Sequence, residues 1–140
     1  MYTYQYPRPA VTVDILLFAG EKVLLIQRKN PPFKDAWAFP GGVIEMGEGL
    51  EESAQRELCE ETGLSGVQLT QLGAFGDLDR DPRGRVITVA YYSVIDIEEA
   101  VISAGSDATD ARWFPIAELP TLAFDHLKIL ATALEKLPSL

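Results

Sequence analysis

Residues 41–64, GGVIEMGEGLEESAQRELCEETGL, constrain the fold of this chain more than any other stretch. A glycine-rich segment comes first, and the pattern after it predicts a helix that begins at about Leu50 and stops at Gly63. Within that helix Glu57 and Glu61 point almost the same way, and Glu60 lies to one side. Like charges at this spacing repel each other by roughly 0.2–0.5 kcal/mol per pair even in water. If the acids face the protein, this repulsion has to be compensated.

The apolar residues of the helix indicate which way these acids face. The only apolar stripe lies beside Glu57 and Glu61 and consists of Leu50, Ala54 and Leu58. The residues expected to face away from it are Glu51, Glu52, Gln55 and Thr62. A solvated acidic face is the usual interpretation of a run of glutamates, but here the paired acids look toward the protein. Hard divalent cations with oxygen ligands compensate such a pair most directly, so the pattern predicts a metal site.

Both ends of this helix have suitable caps. Gly49 occupies the expected N-cap position, and acidic residues follow it in the positive first turn. Gly63 is predicted to be a left-handed C-terminal cap, with Leu64 making the accompanying hydrophobic contact.

The spacing of the stretch resembles the Nudix box, GX5EX7REUXEEXGU, at every fixed position. Gly42 and Glu48 are followed by the run from Arg56 to Leu64. Nine defined positions at fixed spacing make the match highly specific. The resemblance implies a hydrolase that cleaves a nucleoside diphosphate linked to another group and uses Mg²⁺ or Mn²⁺.

The resemblance also implies roles for individual residues. The metal ligands would be Glu57, Glu60, Glu61 and the main-chain carbonyl of Gly41. Arg56 would orient Glu57, and Glu48 would be the structural partner of Arg56. The proton acceptor stays open between Glu57, Glu60 and a loop acid such as Asp107. Nudix enzymes often recruit such an acid before the last strand, and the other candidates there are Asp110, Glu98 and Glu99.

The whole chain predicts one domain, residues 1–140, in a soluble protein. A net charge of −9 and a pI near 4.5 argue against a nucleic-acid partner, although cations can still bridge the protein to a small nucleotide. The single cysteine, Cys59, lies on the outer face of the box helix and is expected to have no role. Residues 1–9 lack the features of a signal peptide, and no apolar run is long enough to span a membrane. We therefore expect a cytoplasmic protein.

The pattern outside the box predicts a layered α/β or α+β fold. The predicted strands are 10–18, 22–29, 43–44, 67–75, 86–97 and 111–114, with 98–109 as a loop. The continuous apolar run of the second strand indicates burial on both faces, so helices should cover the sheet. A last helix from about Phe124 should bury Leu127, Leu130, Leu134 and Leu137. The resemblance sharpens this to the Nudix α/β/α sandwich around a central mixed β-sheet.

Three arginines stand out in the acidic chain, in the loop DRDPRGR at residues 79–85. Arg80 and Arg83, with Arg28 at the end of the second strand, are the predicted substrate-binding residues, because guanidiniums grip phosphates bidentately. The alternative is a surface turn in which the arginines pair with neighbouring aspartates. Trp37 and Phe39 are expected in the core rather than stacked on adenine.

The resemblance is to the ADP-ribose pyrophosphatase subgroup in particular. Pro82 in the arginine loop and the FDH stretch ending at His126 are similar to that group. The implied reaction converts ADP-ribose to AMP and ribose 5-phosphate, and His126 itself is expected to be structural. Dimers are common in this subgroup.

Two other functions stay open. One is a nucleoside triphosphate pyrophosphohydrolase that cleans the nucleotide pool, for example of 8-oxo-dGTP. The other is an ADP-ribose sensor, as in regulators that add a DNA-binding module after a Nudix domain. An intact box and an end soon after the last predicted helix favour the enzyme.

Overall fold

The computed structural model of this chain describes residues 3–99, 102 and 108–137. Its strands and helices, in chain order, are β1 (Ala10–Ala19), β2 (Lys22–Arg28), β3 (Trp37–Ala38), β4 (Gly41–Val43), α1 (Leu50–Thr62), β5 (Thr70–Phe75), β6 (Val86–Val94), β7 (Ala108–Pro115) and α2 (His126–Lys136). The predicted hairpin is confirmed, since β1 and β2 pair antiparallel around the turn at Gly20.

The strands form one mixed sheet with the order β3-β2-β1-β6-β5, while β4 pairs with β1 and β7 pairs with β2. β1 and β6 are parallel along their length. The other pairings are antiparallel. β2 and β4 share one edge of β1, and this brings the glycines of β4 beside the middle of that strand.

Each face of the sheet is covered by one helix. The core on the α1 side includes Val13, Ile15, Leu17, Leu24, Ala54, Leu58 and Tyr91. The core on the α2 side includes Leu16, Phe18, Val23, Leu25, Ile129, Leu130 and Ala133. Successive residues of β1 and β2 alternate between the two cores, as strand geometry requires. This arrangement confirms the α/β/α sandwich and the burial of β2 on both faces.

Several predicted strand boundaries need correction. The strand predicted from residue 67 begins at Thr70, and the strand predicted to reach residue 97 ends at Val94. The short strand predicted at 43–44 is Gly41–Val43. β7 is longer than predicted because it pairs with almost all of β2, so the predicted loop at 98–109 overlaps its start. Pairing with the buried strand β2 thus extends β7 beyond the residues that its own sequence pattern predicts.

The box helix has the predicted bounds and caps. The Glu52 carboxylate accepts the N–H of Gly49, and Gly63 has φ of +80°. Leu64 packs into the core on the α1 side. The outward placement of Thr62 was wrong, because Thr62 is fully buried. Its hydroxyl donates to the Leu58 carbonyl and accepts the Leu64 N–H, so burial leaves it satisfied.

The predicted buried stripe of the last helix was partly wrong. Leu127 is 62% exposed, whereas Leu130 is buried and Leu134 and Leu137 pack partly against the core. The rotation of α2 follows from its first residue: His126 is buried, accepts the Phe39 N–H at Nδ1 over 3.1 Å and stacks on the Phe39 ring. With His126 facing inward, its neighbour Leu127 faces outward.

Neither helix in the described part of the chain is long and apolar enough to cross a lipid bilayer.

Candidate active site

A cleft of about 480 Å³ opens where the box helix, β4 and the loop between β5 and β6 meet. Its acidic wall carries Glu45, Glu57, Glu60 and Glu61, its floor carries Asp14, Phe39, Gly41 and Gly42, and its basic wall carries Arg28, Lys29, Arg80 and Arg83. The same cleft is thus lined by a cluster of carboxylates and a cluster of cations.

The two inward-facing acids of the box helix are buried, as the position of its apolar stripe predicts. Glu57 is 7% exposed and Glu61 is 3% exposed. Burial raises the pKa of Glu61 to about 9, and its hydrogen bond with Glu57 is the second cause. Burial also raises the pKa of Glu57. The pair therefore resists carrying two negative charges unless a positive charge is brought to it.

The two glycines of β4 let these acids approach the backbone. A Cβ atom at Gly42 would lie 2.6 Å from Oε1 of Glu57, and one at Gly41 would lie 2.1 Å from the Val13 carbonyl oxygen. The Gly41 N–H donates to Oε1 of Glu61 over 3.1 Å. A side chain at Gly42 would push the Glu57 carboxylate away from the strand, and one at Gly41 would collide with β1 at Val13 and Asp14.

Arg56 connects the remaining acids of the box. Its Nε donates to both oxygens of Glu48, over 2.9 and 3.0 Å. Its Nη1 donates to Glu57 over 2.9 Å and to Glu60 over 3.3 Å. Hydrogen bonding to Glu48 is the main reason that the pKa of Arg56 is raised. Arg56 is therefore in the place from which it can orient Glu57.

Ser53 completes this network, and sequence reasoning missed it. The side chain is fully buried, and its hydroxyl donates to Oε1 of Glu48 over 2.8 Å. Its position five residues after Glu48 and three before Arg56 was the only available signal.

The donor set fits a hard divalent cation. Among the described residues, no three acidic, histidine or cysteine side chains are already gathered around one point for a metal. Two buried carboxylates with raised pKa values are nevertheless present, and Glu60 projects beside them with its side chain 46% exposed. A dication would relieve the repulsion in the buried pair, and Glu60 is accessible enough to turn toward it.

The basic wall is built around the ring of Phe124. The guanidinium carbon of Arg28 lies 4.9 Å from the ring centroid, and that of Arg83 lies 5.5 Å from it. Arg28 also donates to the Pro32 carbonyl over 2.8 Å. Burial lowers the pKa of Arg28, and the charge of Arg83 lowers it further. An anion between these two cations would relieve their repulsion.

The arginine loop contains one ion pair with a neighbouring aspartate, as the alternative interpretation of the sequence predicts, and one with a distant aspartate, which it does not. Arg83 pairs with Asp81 inside the loop, over 2.7 and 3.0 Å. Arg80 lines the cleft but is buried, and it makes a bidentate pair with Asp125 at the start of α2, over 2.8 and 3.0 Å. Arg85 donates to the carbonyls of Gly76 and Asp77. The three guanidiniums of the loop are therefore already engaged by the protein.

Asp14 is a second site residue that sequence reasoning left without a role. It is 7% exposed in the middle of β1, and its Oδ2 accepts the Thr88 hydroxyl over 2.6 Å. Its Oδ1 lies 3.6 Å from Nε2 of His126. Since Nδ1 of that ring accepts the Phe39 N–H, the proton of the neutral ring is on Nε2 and faces Asp14. An acid inside an apolar strand was the available signal.

The remaining predicted residues fall elsewhere. Asp107, the predicted loop acid, lies outside the described residues. Asp110 pairs with Arg112, over 2.7 Å, and is not among the described residues that line the cleft. Phe39 is 2% exposed in the core, and Trp37 packs on Phe114 with ring centroids 4.7 Å apart.

Comparison with known proteins decides the family. The sequence pattern of the NUDIX domain matches residues 8–133. The chain belongs to the Nudix family. This Nudix chain is 46% identical over 125 residues to an ADP-ribose pyrophosphatase of Methanocaldococcus jannaschii. The aligned region covers 89% of this chain and 73% of that protein.

A regulator is also similar. The chain is 36% identical over 140 residues to an ADPR responsive transcriptional repressor, NtrR, of Acinetobacter baylyi, and it spans 56% of the length of that protein. The crystal structure of the NUDIX domain of Shewanella oneidensis NrtR complexed with ADP ribose matches with a TM-score of 0.88 and 35% identity, covering 94% of this chain and 90% of that chain.

Proposed function

We propose that this Nudix protein hydrolyses the diphosphate of a nucleoside diphosphate derivative, with ADP-ribose as the preferred substrate and AMP and ribose 5-phosphate as products. The observation that carries the proposal is the buried Glu57–Glu61 pair, which lines the same cleft as Arg28 and Arg83. Such a cleft suits a ligand with a cation-bound diphosphate at one end. The 46% identity to an ADP-ribose pyrophosphatase supports the choice of substrate.

The box residues form the metal-binding half of the proposed site. Glu57, Glu60 and Glu61, with the main-chain carbonyl of Gly41, would hold Mg²⁺ or Mn²⁺. When bound, such a cation neutralises the diphosphate and makes water a better nucleophile. Arg56 positions Glu57 through the 2.9 Å hydrogen bond and is itself held by Glu48.

One carboxylate must accept the proton of the attacking water. The candidates are Glu57, Glu60 and Asp107, and a general base has to reach that proton within hydrogen-bond distance. Glu60 is the most exposed of the box acids at this cleft, and its bond to Arg56 holds its carboxylate beside Glu57.

Arg28 and Arg83 form the substrate-binding half, and Arg80, also predicted to bind substrate, supports it from its buried pair with Asp125. Arg28 and Arg83 lie against the same aromatic ring and line the cleft, which supports a role in binding phosphate or ribose oxygens. A small nucleotide is the proposed partner. We also propose that residues 1–140 form one domain. The absence of a nucleic-acid partner, the possible homodimer, the preference for magnesium and the cytoplasmic location stay predictions.

A sensor of ADP-ribose is the second candidate, and the similarity to the NtrR repressor is the observation that favours it. Every fixed position of the box is present here, from Gly42 to Leu64, and Arg56 and Glu48 are paired. These features support the enzyme over a binding module.

Initial rates with ADP-ribose, dGTP and 8-oxo-dGTP, at equal Mg²⁺, test the proposal. We expect kcat/KM to be highest for ADP-ribose, with AMP and ribose 5-phosphate as its products. A tenfold preference for a triphosphate would replace this proposal with the nucleotide-pool function. Binding of ADP-ribose by calorimetry without turnover of any nucleotide would identify a sensor.

A further inference from the structure

Three consecutive residues at the start of α2 each contact a different part of the cleft. The Phe124 ring lies against Arg28 and Arg83, the Asp125 carboxylate binds Arg80, and His126 binds the Phe39 N–H. Phe124 has φ of +52°, a left-handed conformation that is costly for an aromatic residue. A segment held in this conformation by the contacts of three successive side chains is suited to positioning the cleft walls.

The pair between Arg80 and Asp125 is the most enclosed connection between the arginine loop and the rest of the protein that we find in the described residues. The side chain of Arg80 is 3% exposed and that of Asp125 is 15% exposed. The two bonds are parallel, which fixes orientation as well as distance. A buried guanidinium without its carboxylate is strongly unfavourable, so the pair holds the loop to α2.

The position of Arg83 depends on this connection. Arg83 is three residues after Arg80, and Asp81 between them binds both the backbone N–H and the guanidinium of Arg83. The loop therefore behaves as one folded unit whose attachment point is Arg80. Asp125 stands next to Phe124, so the same short segment sets both the loop and the ring on which Arg83 lies.

We propose that Asp125 and Arg80 are a positioning pair, which sets the affinity of the cleft for the anionic part of the substrate that lies away from the box acids. The substrate class rests on the function proposed above. Arg80 then acts on substrate through Arg83 and Phe124, and the pair itself takes no part in proton transfer or cation binding. Loss of the pair should weaken substrate binding and leave the metal-binding half intact.

The test is a double-mutant cycle with Asp125→Asn, Arg80→Gln and the double variant. We expect KM for ADP-ribose to rise about ten- to a hundredfold in each single variant, with kcat at saturation changed little, because misplacing a substrate-binding group by about 1 Å has effects of this size. The double variant should lose no more than the worse single variant, since the two residues act as one unit. The rise in Tm caused by Mg²⁺ should be the same as in the unmodified protein. Asp125→Glu should recover part of the loss in KM, because it restores a carboxylate.

Lys128→Gln is the matched control. Lys128 pairs with Asp77, two residues before the arginine loop, so it also joins the connection between β5 and β6 to α2, but both side chains are more than 60% exposed. We expect KM and kcat to stay unchanged in this variant, because exposed pairs contribute little.

Three results would overturn the proposal. They are a fall in kcat with KM unchanged, additive losses in the double variant, or an equal rise in KM for Lys128→Gln. The double variant leaves no unpaired buried charge, so it can be measured even if either single variant does not fold. An unchanged KM in the double variant would also reject the positioning role. The cycle compares KM for the nucleotide that the unmodified protein cleaves fastest. If the unmodified protein cleaves none, the cycle compares the Kd for ADP-ribose. A wrong substrate is therefore detected separately, in the unmodified protein.

Discussion

Glu61 is the residue at which burial and charge conflict most strongly. It is 3% exposed, and its carboxyl meets that of Glu57 and the Gly41 N–H. The cost of this arrangement is easiest to explain if a cation compensates it. Glutamine has nearly the same shape as a protonated glutamate and cannot supply the negative charge, so it separates the two effects.

We expect Glu61→Gln to reduce turnover about a hundredfold while the protein stays folded, because a metal ligand is lost. Initial rates across a series of Mg²⁺ concentrations check this, with circular dichroism as the control for folding. Near-normal activity of this variant at low Mg²⁺ would contradict the role of Glu61 as a ligand.

The same substitution should change the pH dependence of stability in EDTA. The pKa of Glu61 is about 9 in the folded protein, above the value of about 4.3 expected when unfolded. A raised pKa contributes stability that is fully present below the unfolded pKa and is lost as pH rises toward the folded pKa. We therefore expect Tm to fall between about pH 5 and pH 9, and to fall less in Glu61→Gln. An equal slope in both proteins would show that Glu61 does not titrate in this way.

Cys59 is the contrasting residue on the same helix. It is exposed and lies on the side away from the buried acids. We expect Cys59→Ser to leave kcat, KM and Tm nearly unchanged, since surface substitutions away from special features have small effects. A large loss of activity would mean that the outer face of α1 takes part in function.

The helices show how an element is oriented by one or two special contacts. The rotation of α1 follows from its apolar stripe, whereas that of α2 depends on His126, which is bound to Phe39. Leu127 and Leu130 are therefore a matched pair, with 62% and 1% exposure on the same helix.

We expect Leu130→Ala to lower the free energy of unfolding by about 2–5 kcal/mol, because it leaves a cavity in the core under the sheet. Leu127→Ala should change it by less than about 0.5 kcal/mol. Urea denaturation of both variants, followed by circular dichroism, gives the comparison. Similar losses in the two variants would mean that α2 has a different rotation in solution.

At the scale of the whole molecule, a net charge of −9 makes cation binding and stability interdependent. A cation that binds only the folded state stabilises it by RT ln(1 + [L]/Kd), which is about 2.7 kcal/mol at a hundredfold excess over Kd. We therefore expect Mg²⁺ to raise Tm by more than NaCl of equal ionic strength does. Glu57→Gln should reduce this difference, whereas Lys128→Gln should not. An identical response of the unmodified protein to the two salts would count against a specific cation site.

The sequence by itself determined the box helix, its caps, the inward direction of Glu57 and Glu61 and the layered fold. These features depend on residues within about two turns of each other or on strand alternation, and local periodicity is enough to reveal them. Only the tertiary structure decided the partners of Arg80, Asp14 and His126. Arg80 and Asp125 are 45 residues apart, and Asp14 and Thr88 are 74 apart, so no local pattern relates them. Which of several nearby charges a buried arginine binds depends on how the sheet and helices bring distant segments together, because burial makes the geometry of the partner decisive.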